Sequence, residues 1–285
     1  MAELSKSGEG MIVVGRECSI GAGAHAHFAH PGKIVLGDYV TIGENVKFVV
    51  DQGAVEIGDW TTIHANSIIL CKAGVSIGEH CWFGQHTVID GTGGLTIKRG
   101  VRVGMFSQLW THVAAGEQIE GCTLFGEAPS VIEEESWFVG TCFLASGVVV
   151  GRRTIALAGS NITKSCPPNS VLAGAPARVK EDLNFYREIR LEEKFDLLAG
   201  WLRALASESG STLNFTSDVA SIAAVDGTVR FHKSAHSFEK ALESGGGDPI
   251  THCCLETKRY RKVFTGAERR VLKYLSGNKA RFYAT

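Results

Sequence analysis

The chain repeats itself every six residues across most of its first 180 positions. Each hexad opens on an aliphatic or aromatic residue, often followed by Gly, and carries a small or β-branched residue four places after the opening one. The opening residues fall in threes: Val14, Ile20, Ala26; Leu36, Ile42, Phe48; Ile57, Ile63, Ile69; Ile77, Phe83, Ile89; Ile97, Val103, Leu109. Successive triplets start 22, 21, 20 and 20 residues apart, which is three hexads plus two to four spare residues. Such a period specifies a coil in which each hexad runs along one flat face, with three faces to a turn and neighbouring turns stacked above and below. The opening residue fills the axis, and a second inward position near each corner has room only for a small group. An ordinary β-sandwich needs two-residue alternation and hairpin turns, which a sustained hexad phase does not supply. The period alone leaves the handedness of the winding open.

Length and charge agree with one long solenoid followed by a small second domain. The chain has 285 residues and a formal net charge of −1, which argues against nucleic acid or a membrane surface as principal partner. Residues 1–10 are polar, without the apolar centre of a signal peptide, and no apolar run is long enough to cross a bilayer. The expectation is a cytoplasmic protein without membrane insertion. Of the eight cysteines, Cys18, Cys81, Cys142 and Cys166 take the small inward slot of the hexad and read as buried apolar groups. Cys71 and Cys122 are isolated, and adjacent Cys253 and Cys254 would strain to bridge each other. All eight read as reduced thiols, with no CxxC spacing for zinc.

The beat stops over 110–131 and returns at Ile132, Phe138, Leu144, Val150, Ala156 and Ile162. Solenoids accept insertions at corners, and such excursions build binding surfaces, so function is sought there. His112 stands three residues after Leu109, at the corner where the excursion leaves the coil. A lone corner histidine is commonly an ordinary surface residue. Its company here includes the aromatics Trp110 and Phe125, with Glu117 and Glu127 as carboxylates able to orient an imidazole or hold an acceptor hydroxyl. One coil earlier the equivalent corner runs from Asp90 to Gly94, so register places Asp90 beneath Trp110 and Thr92 beneath His112. Asp90-Gly91 reads equally as a turn pair or as a carboxylate reaching the same pocket.

The repeat, the His-bearing corner with its extruded loop, and a closing stretch resemble the hexapeptide-repeat acyltransferases, the left-handed β-helix group. The closing residues are Thr163, Lys164, Pro167, Pro168, Gly174, Ala175, Pro176, Ala177 and Arg178, a signature of the acetyltransferase branch. The resemblance covers residues 14–180. It implies a left-handed parallel β-helix, all-β, over 1–180, assembled as a homotrimer with sites in clefts between neighbouring prisms. Acetyl-CoA would serve as co-substrate with no metal, and His112 as general base on a hydroxyl or amino group of a sugar or sugar-nucleotide acceptor. Asp90, Trp110 and Glu127 would contact that acceptor. Cofactor contacts would fall on Trp137, Gly140, Ala158, Thr163, Lys164 and Arg178, although Val139 stands in the slot after the opening residue where relatives carry Gly. Lys164 and Arg178 also read as a solvated basic surface. No Ser or Cys sits in a nucleophile motif, which favours direct transfer.

Two other readings stay open. The γ-type carbonic anhydrases use the same prism with three zinc-binding histidines, and His64, His80 and His86 invite the comparison. Their register is unfavourable, since His64 is one place after its opening residue and His86 three after its own. A non-catalytic β-helical binding subunit is the other.

Residues 181–285 read as a small α+β extension. Phe185, Ile189, Phe195, Leu198, Leu202 and Leu205 predict an amphipathic helix over 182–207. Asp226-Gly227 predicts a hairpin turn within 219–231, 244–248 a loop, and Thr265 with Glu268 a capping box ahead of a helix through Leu275. Residues 258–281 hold nine Lys or Arg against one Glu, enough for a basic face.

Overall fold

The computed structural model describes residues 3–114, 116–244 and 249–285. The chain divides between Tyr186 and Arg187 into two compact units.

The first unit is a parallel solenoid with three sheets as its faces. The first face stacks the strands Ser5–Ser7, His25–Phe28, Lys47–Val50, Ile68–Cys71, Val88–Gly91, Gln108–Leu109, Phe143–Leu144 and Asn161–Ile162 in that order. Successive chain passes also build the second and third faces, so each strand pairs with the strand one coil earlier. The hexad phase is the vertical register. Phe48, Ile69, Ile89, Leu109, Leu144 and Ile162 are paired rungs on the first face. On the second face Leu36, Ile57, Ile77, Ile97, Ile132 and Val150 stack in the same way. These rungs form one buried apolar axis.

Two opening residues depart from that burial. Val14 is 45% exposed and Ile20 only half-buried, because their strands end their sheets and no further coil covers them. Cys166 departs in another way: it bridges Val150 as the next rung, and Asn169, Ser170 and Leu172 follow in the new phase. The coil closes with two residues fewer than three hexads, so Cys166 leaves the small slot that the sequence phase gives it.

The corners that end the second and third faces turn on the residue three places after the opening one. Tyr39, Asn45, Trp60, Asn66, His80, His86, Phe106 and Arg153 all stand there with φ between 55° and 62°. That left-handed backbone lets the chain swing onto the next face within one residue. The slot after the opening residue favours Gly because coils approach closely: a Cβ on Gly104 would lie 2.0 Å from the Val139 carbonyl oxygen. Above Gly104 the restriction lapses, and Val139 and Leu157 occupy the slot with their backbone pairing intact. All eight cysteines are free thiols.

The predicted helix over 182–207 begins later, as α1 (Leu191–Ser209). Residues 182–190 stay non-helical and Phe185 is 57% exposed. Tyr186 is used by the solenoid instead, its hydroxyl donating to the Glu135 carbonyl at 3.3 Å with the Arg153 guanidinium 5.2 Å from its ring.

The second unit pairs α1 with a six-stranded sheet in sequential order, Thr212–Phe215, Val219–Ala224, Gly227–His232, Ile250–Cys254, Arg259–Tyr260 and Tyr283–Ala284. The hairpin forms with Ala224 opposite Gly227, so Val225 and Asp226 make the turn and Gly227 opens the returning strand. Helix α2 (Ala235–Glu243) crosses over between the parallel third and fourth strands. Helix α3 (Gly266–Ser276) starts as predicted: the Glu268 N–H donates to Thr265 Oγ1 at 3.0 Å. The Glu268 carboxylate turns away from the Thr265 amide and accepts from the Val263 and Phe264 N–H groups and the Thr251 hydroxyl. Residues 245–248 of the expected loop lie outside the described residues.

Candidate active site

The excursion is a two-stranded antiparallel hairpin. His112–Ala114 pairs with Phe125–Glu127, placing His112 opposite Glu127. At the corner between the first and second faces the preceding coils pass through left-handed glycines five places after the opening residue, Gly53, Gly74 and Gly94, whereas after Leu109 the chain continues as strand from His112 and leaves the prism. Ser130–Ile132 then rejoins the second face beside Leu95–Ile97.

Beneath the hairpin, Asp90 is fully buried and its carboxylate is surrounded by donors. Oδ1 accepts from the Thr92 N–H at 3.2 Å and the Thr92 hydroxyl at 2.5 Å. Oδ2 lies 2.8 Å from both the N–H and the hydroxyl of Thr111, and 2.9 Å from His112 Nδ1. Both sequence readings of Asp90 thus hold together: it bonds the backbone two residues on, as a turn residue does, and it reaches the imidazole. Burial raises the Asp90 pKa, but the hydrogen bonds from Thr92, His112 and Thr111 outweigh it and hold the carboxyl below its ordinary value. A carboxylate on Nδ1 selects the tautomer with Nδ1 protonated, leaving Nε2 as a base on a side chain that is 32% exposed.

Trp110 stands edge-on to the imidazole, ring centroids 5.5 Å apart, with its indole N–H donating to Gln108 Oε1 at 3.0 Å. The Glu127 carboxylate turns to Lys72 Nζ at 2.6 Å, tying the returning hairpin strand to a lower coil. Glu117 is exposed beside a short 3-10 turn. Sequence reasoning missed Thr111 and Ser146. Thr111 is fully buried between Trp110 and His112; its hydroxyl accepts from the Gly93 N–H, and its carbonyl accepts from the Ser146 hydroxyl. The available signal was a hydroxyl residue beside the corner histidine, but its partners come from 18 and 35 residues away.

The remaining predicted residues divide between corners. Thr163 and Lys164 are exposed on the His112 corner, two coils further along through the rungs Leu109, Leu144 and Ile162. Trp137 (45% exposed), buried Gly140 and exposed Ala158 lie on the third face and at its junction with the first. Arg178 is exposed on the strand that returns antiparallel to Val171–Ala173. An open indole, an exposed alanine and two exposed cations without a carboxylate partner among the described residues suit a long thin ligand with an anionic end.

The three histidines of the zinc reading have packing roles at two different corners. His80 lies parallel to Trp60 on the corner between the second and third faces, centroids 6.0 Å apart. At the other end of the third face His64 meets the edge of Trp82, burial lowering its pKa, while His86 stacks on Phe106. Among the described residues no group of three or more His, Cys, Asp or Glu is arranged to hold a metal ion. Among them, too, no helix is long and apolar enough to cross a membrane.

No family model matches the chain. The chain is 29% identical over 150 residues to the putative colanic acid biosynthesis acetyltransferase WcaF of Escherichia coli (strain K12), covering 53% of this chain and 59% of that protein. It is 30% identical over 155 residues to the 2,3,4,5-tetrahydropyridine-2,6-dicarboxylate N-acetyltransferase of Halalkalibacterium halodurans, covering 54% of this chain and 61% of that one. Among solved structures, the hexapeptide transferase family protein of Anaplasma phagocytophilum superposes with a TM-score of 0.41 at 18% identity, covering 73% of this chain and 96% of that one. The chain therefore spans less than two thirds of the length of the curated relatives it matches. Both are acetyltransferases, and the resemblance read from the sequence is borne out at that level.

Proposed function

We propose that this chain is a cytoplasmic acetyl-CoA-dependent acetyltransferase acting on a hydroxyl or amino group of a sugar or nucleotide-linked sugar. The observation that carries the reading is the buried Asp90 carboxylate on His112 Nδ1 at 2.9 Å. Acetyl-CoA supplies the activated thioester carbonyl. His112 Nε2 removes the acceptor proton as the acceptor oxygen or nitrogen attacks that carbonyl, a contribution of roughly 10² to 10⁴ in rate. Asp90 stabilises the imidazolium so formed, and the departing thiolate takes the proton back from Nε2. No covalent enzyme intermediate is needed.

Trp137, Gly140, Ala158, Thr163, Lys164 and Arg178 hold the coenzyme in this reading, the two cations facing its phosphates. Because these residues occupy two corners, a left-handed homotrimer that sets the His112 corner of one copy beside the third-face corner of the next would complete each site. Trp110 flanks the acceptor, and Glu127 supports the hairpin through Lys72. The names of the two curated relatives favour this over a metal enzyme or a non-catalytic subunit.

The test is thiol release by the purified chain with acetyl-CoA and a panel of free sugars and sugar nucleotides. His112→Ala is expected to lower acetyl transfer by roughly two orders of magnitude or more while leaving CoA affinity nearly intact. Full activity in that variant would remove His112 from the role.

A further inference from the structure

The C-terminal unit contributes none of the residues above, yet one face of its sheet sets two guanidiniums on either side of an imidazole. Arg230 and His252 are paired residues of adjacent parallel strands. Arg261 lies opposite His252, its backbone N–H donating to the His252 carbonyl at 3.0 Å. Directly opposed residues on neighbouring strands point to the same side, so the three stand abreast, about 5 Å from strand to strand. Phe231, Cys253 and Tyr260, their sequence neighbours, point the other way and are fully buried.

Other cations of this unit are engaged. Arg270 forks onto Asp226, Arg259 lies 3.6 Å from Glu239, and Lys258 and Lys279 sit over the rings of Phe282 and Tyr274. The basic stretch 258–281 is thus dispersed rather than gathered on one face. Among the described residues, neither the Arg230 nor the Arg261 guanidinium meets a carboxylate. Two guanidiniums flanking an imidazole repel one another unless an anion lies among them.

His252 is held in a way that suits such an anion. Ser237 Oγ lies 2.9 Å from His232 Nδ1, and His232 Nε2 lies 2.9 Å from His252 Nδ1. This relay fixes the His252 ring through Nδ1 and leaves Nε2 for a ligand. Burial first, then His252 and Arg230, push His232 down to about 4, against a smaller opposing pull from Asp218. Burial first, then Arg230 and Arg261, also lower His252. Both rings are therefore neutral near pH 7. With the Ser237 hydroxyl donating to His232, the proton order along the relay makes His252 Nε2–H a donor.

We propose that Arg230, His252 and Arg261 form a phosphate-class oxyanion site, taking a phosphoryl group between two guanidinium forks and one imidazole N–H. The phosphoryl group belongs either to free phosphate or to a nucleoside diphosphate. The site stands independently of acetyl transfer.

The test is calorimetric titration of the full-length protein with inorganic phosphate and with uridine diphosphate, alongside NMR of the His252 ring nitrogens. Saturable binding that shifts the His252 signals is expected. Arg230→Gln and Arg261→Gln are each expected to weaken it at least about 10-fold, as loss of a charged hydrogen bond does, with His112→Ala without effect. Tighter binding of the diphosphate assigns a nucleotide ligand, and equal affinities assign the phosphoryl group alone. Absence of saturable binding by both probes, unchanged affinity in the doubly substituted protein, or binding that leaves the His252 signals in place would each overturn the proposal.

Discussion

At the scale of the residue, Asp90 links stability to the proposed chemistry. Its pKa is depressed in the folded chain, so its stabilising contribution is present above the ordinary carboxylate range and lost as pH falls through the lower folded value. Asp90→Asn removes that dependence, and its melting temperature is expected to change less than the wild type's below about pH 4. The same substitution presents an NH₂ group or a neutral carbonyl to the Thr111 and His112 donors, weakening both the tautomer preference and the stabilisation of imidazolium. Acetyl transfer is expected to fall roughly 10²-fold, with CoA affinity nearly intact. Undiminished kcat in the folded variant would make Asp90 a structural residue only.

At the scale of the element, the hairpin depends on a close approach at Gly93. A Cβ there would lie 2.3 Å from the Thr111 carbonyl oxygen and 2.7 Å from the Ala128 nitrogen, both backbone atoms. Gly93→Ala must therefore move the strand carrying His112, and is expected to cost about 1–3 kcal/mol in denaturant unfolding together with much of the activity. Gly126→Ala, with nothing within 4 Å of the added Cβ, is the control and is expected to be nearly neutral. The hairpin also shows what the sequence can disclose. The position of His112 was legible because the hexad phase breaks there, and counting one coil back put the Asp90 corner within its reach. Thr111 was not legible, since its value comes from Gly93, Asp90 and Ser146, brought together only by the winding. In the C-terminal unit, short strands without a repeat gave no register, and the abreast placement of Arg230, His252 and Arg261 depends wholly on pairing across strands. Residues 182–190 show the converse limit: Phe185 and Ile189 fit a helical spacing, yet the segment stays non-helical and its Tyr186 contacts Glu135 and Arg153.

At the scale of the whole molecule, a solenoid whose coils contact chiefly their neighbours has stability that is nearly a sum over coils, lowest at its ends. The exposed Val14 and half-buried Ile20 mark one such end, whereas Ile63 lies at 0% exposure among coils on both sides. Ile63→Ala is therefore expected to cost about 2–5 kcal/mol and Ile20→Ala distinctly less, read as shifts in denaturant midpoint at constant slope. The same reasoning places the functional cut. The stacked rungs close at Leu172, and the solenoid still uses Tyr186, so a chain ending at Tyr186 keeps every coil contact described here. That shortened chain is expected to unfold cooperatively and to retain thiol release from acetyl-CoA within about 3-fold, the margin of minor local changes. One ending at Lys180 loses the Arg153–Tyr186 contact and is expected to melt lower. A chain ending at Tyr186 that folds but transfers no acetyl group would show that the C-terminal unit takes part in catalysis, and would move the search for acceptor contacts to its sheet.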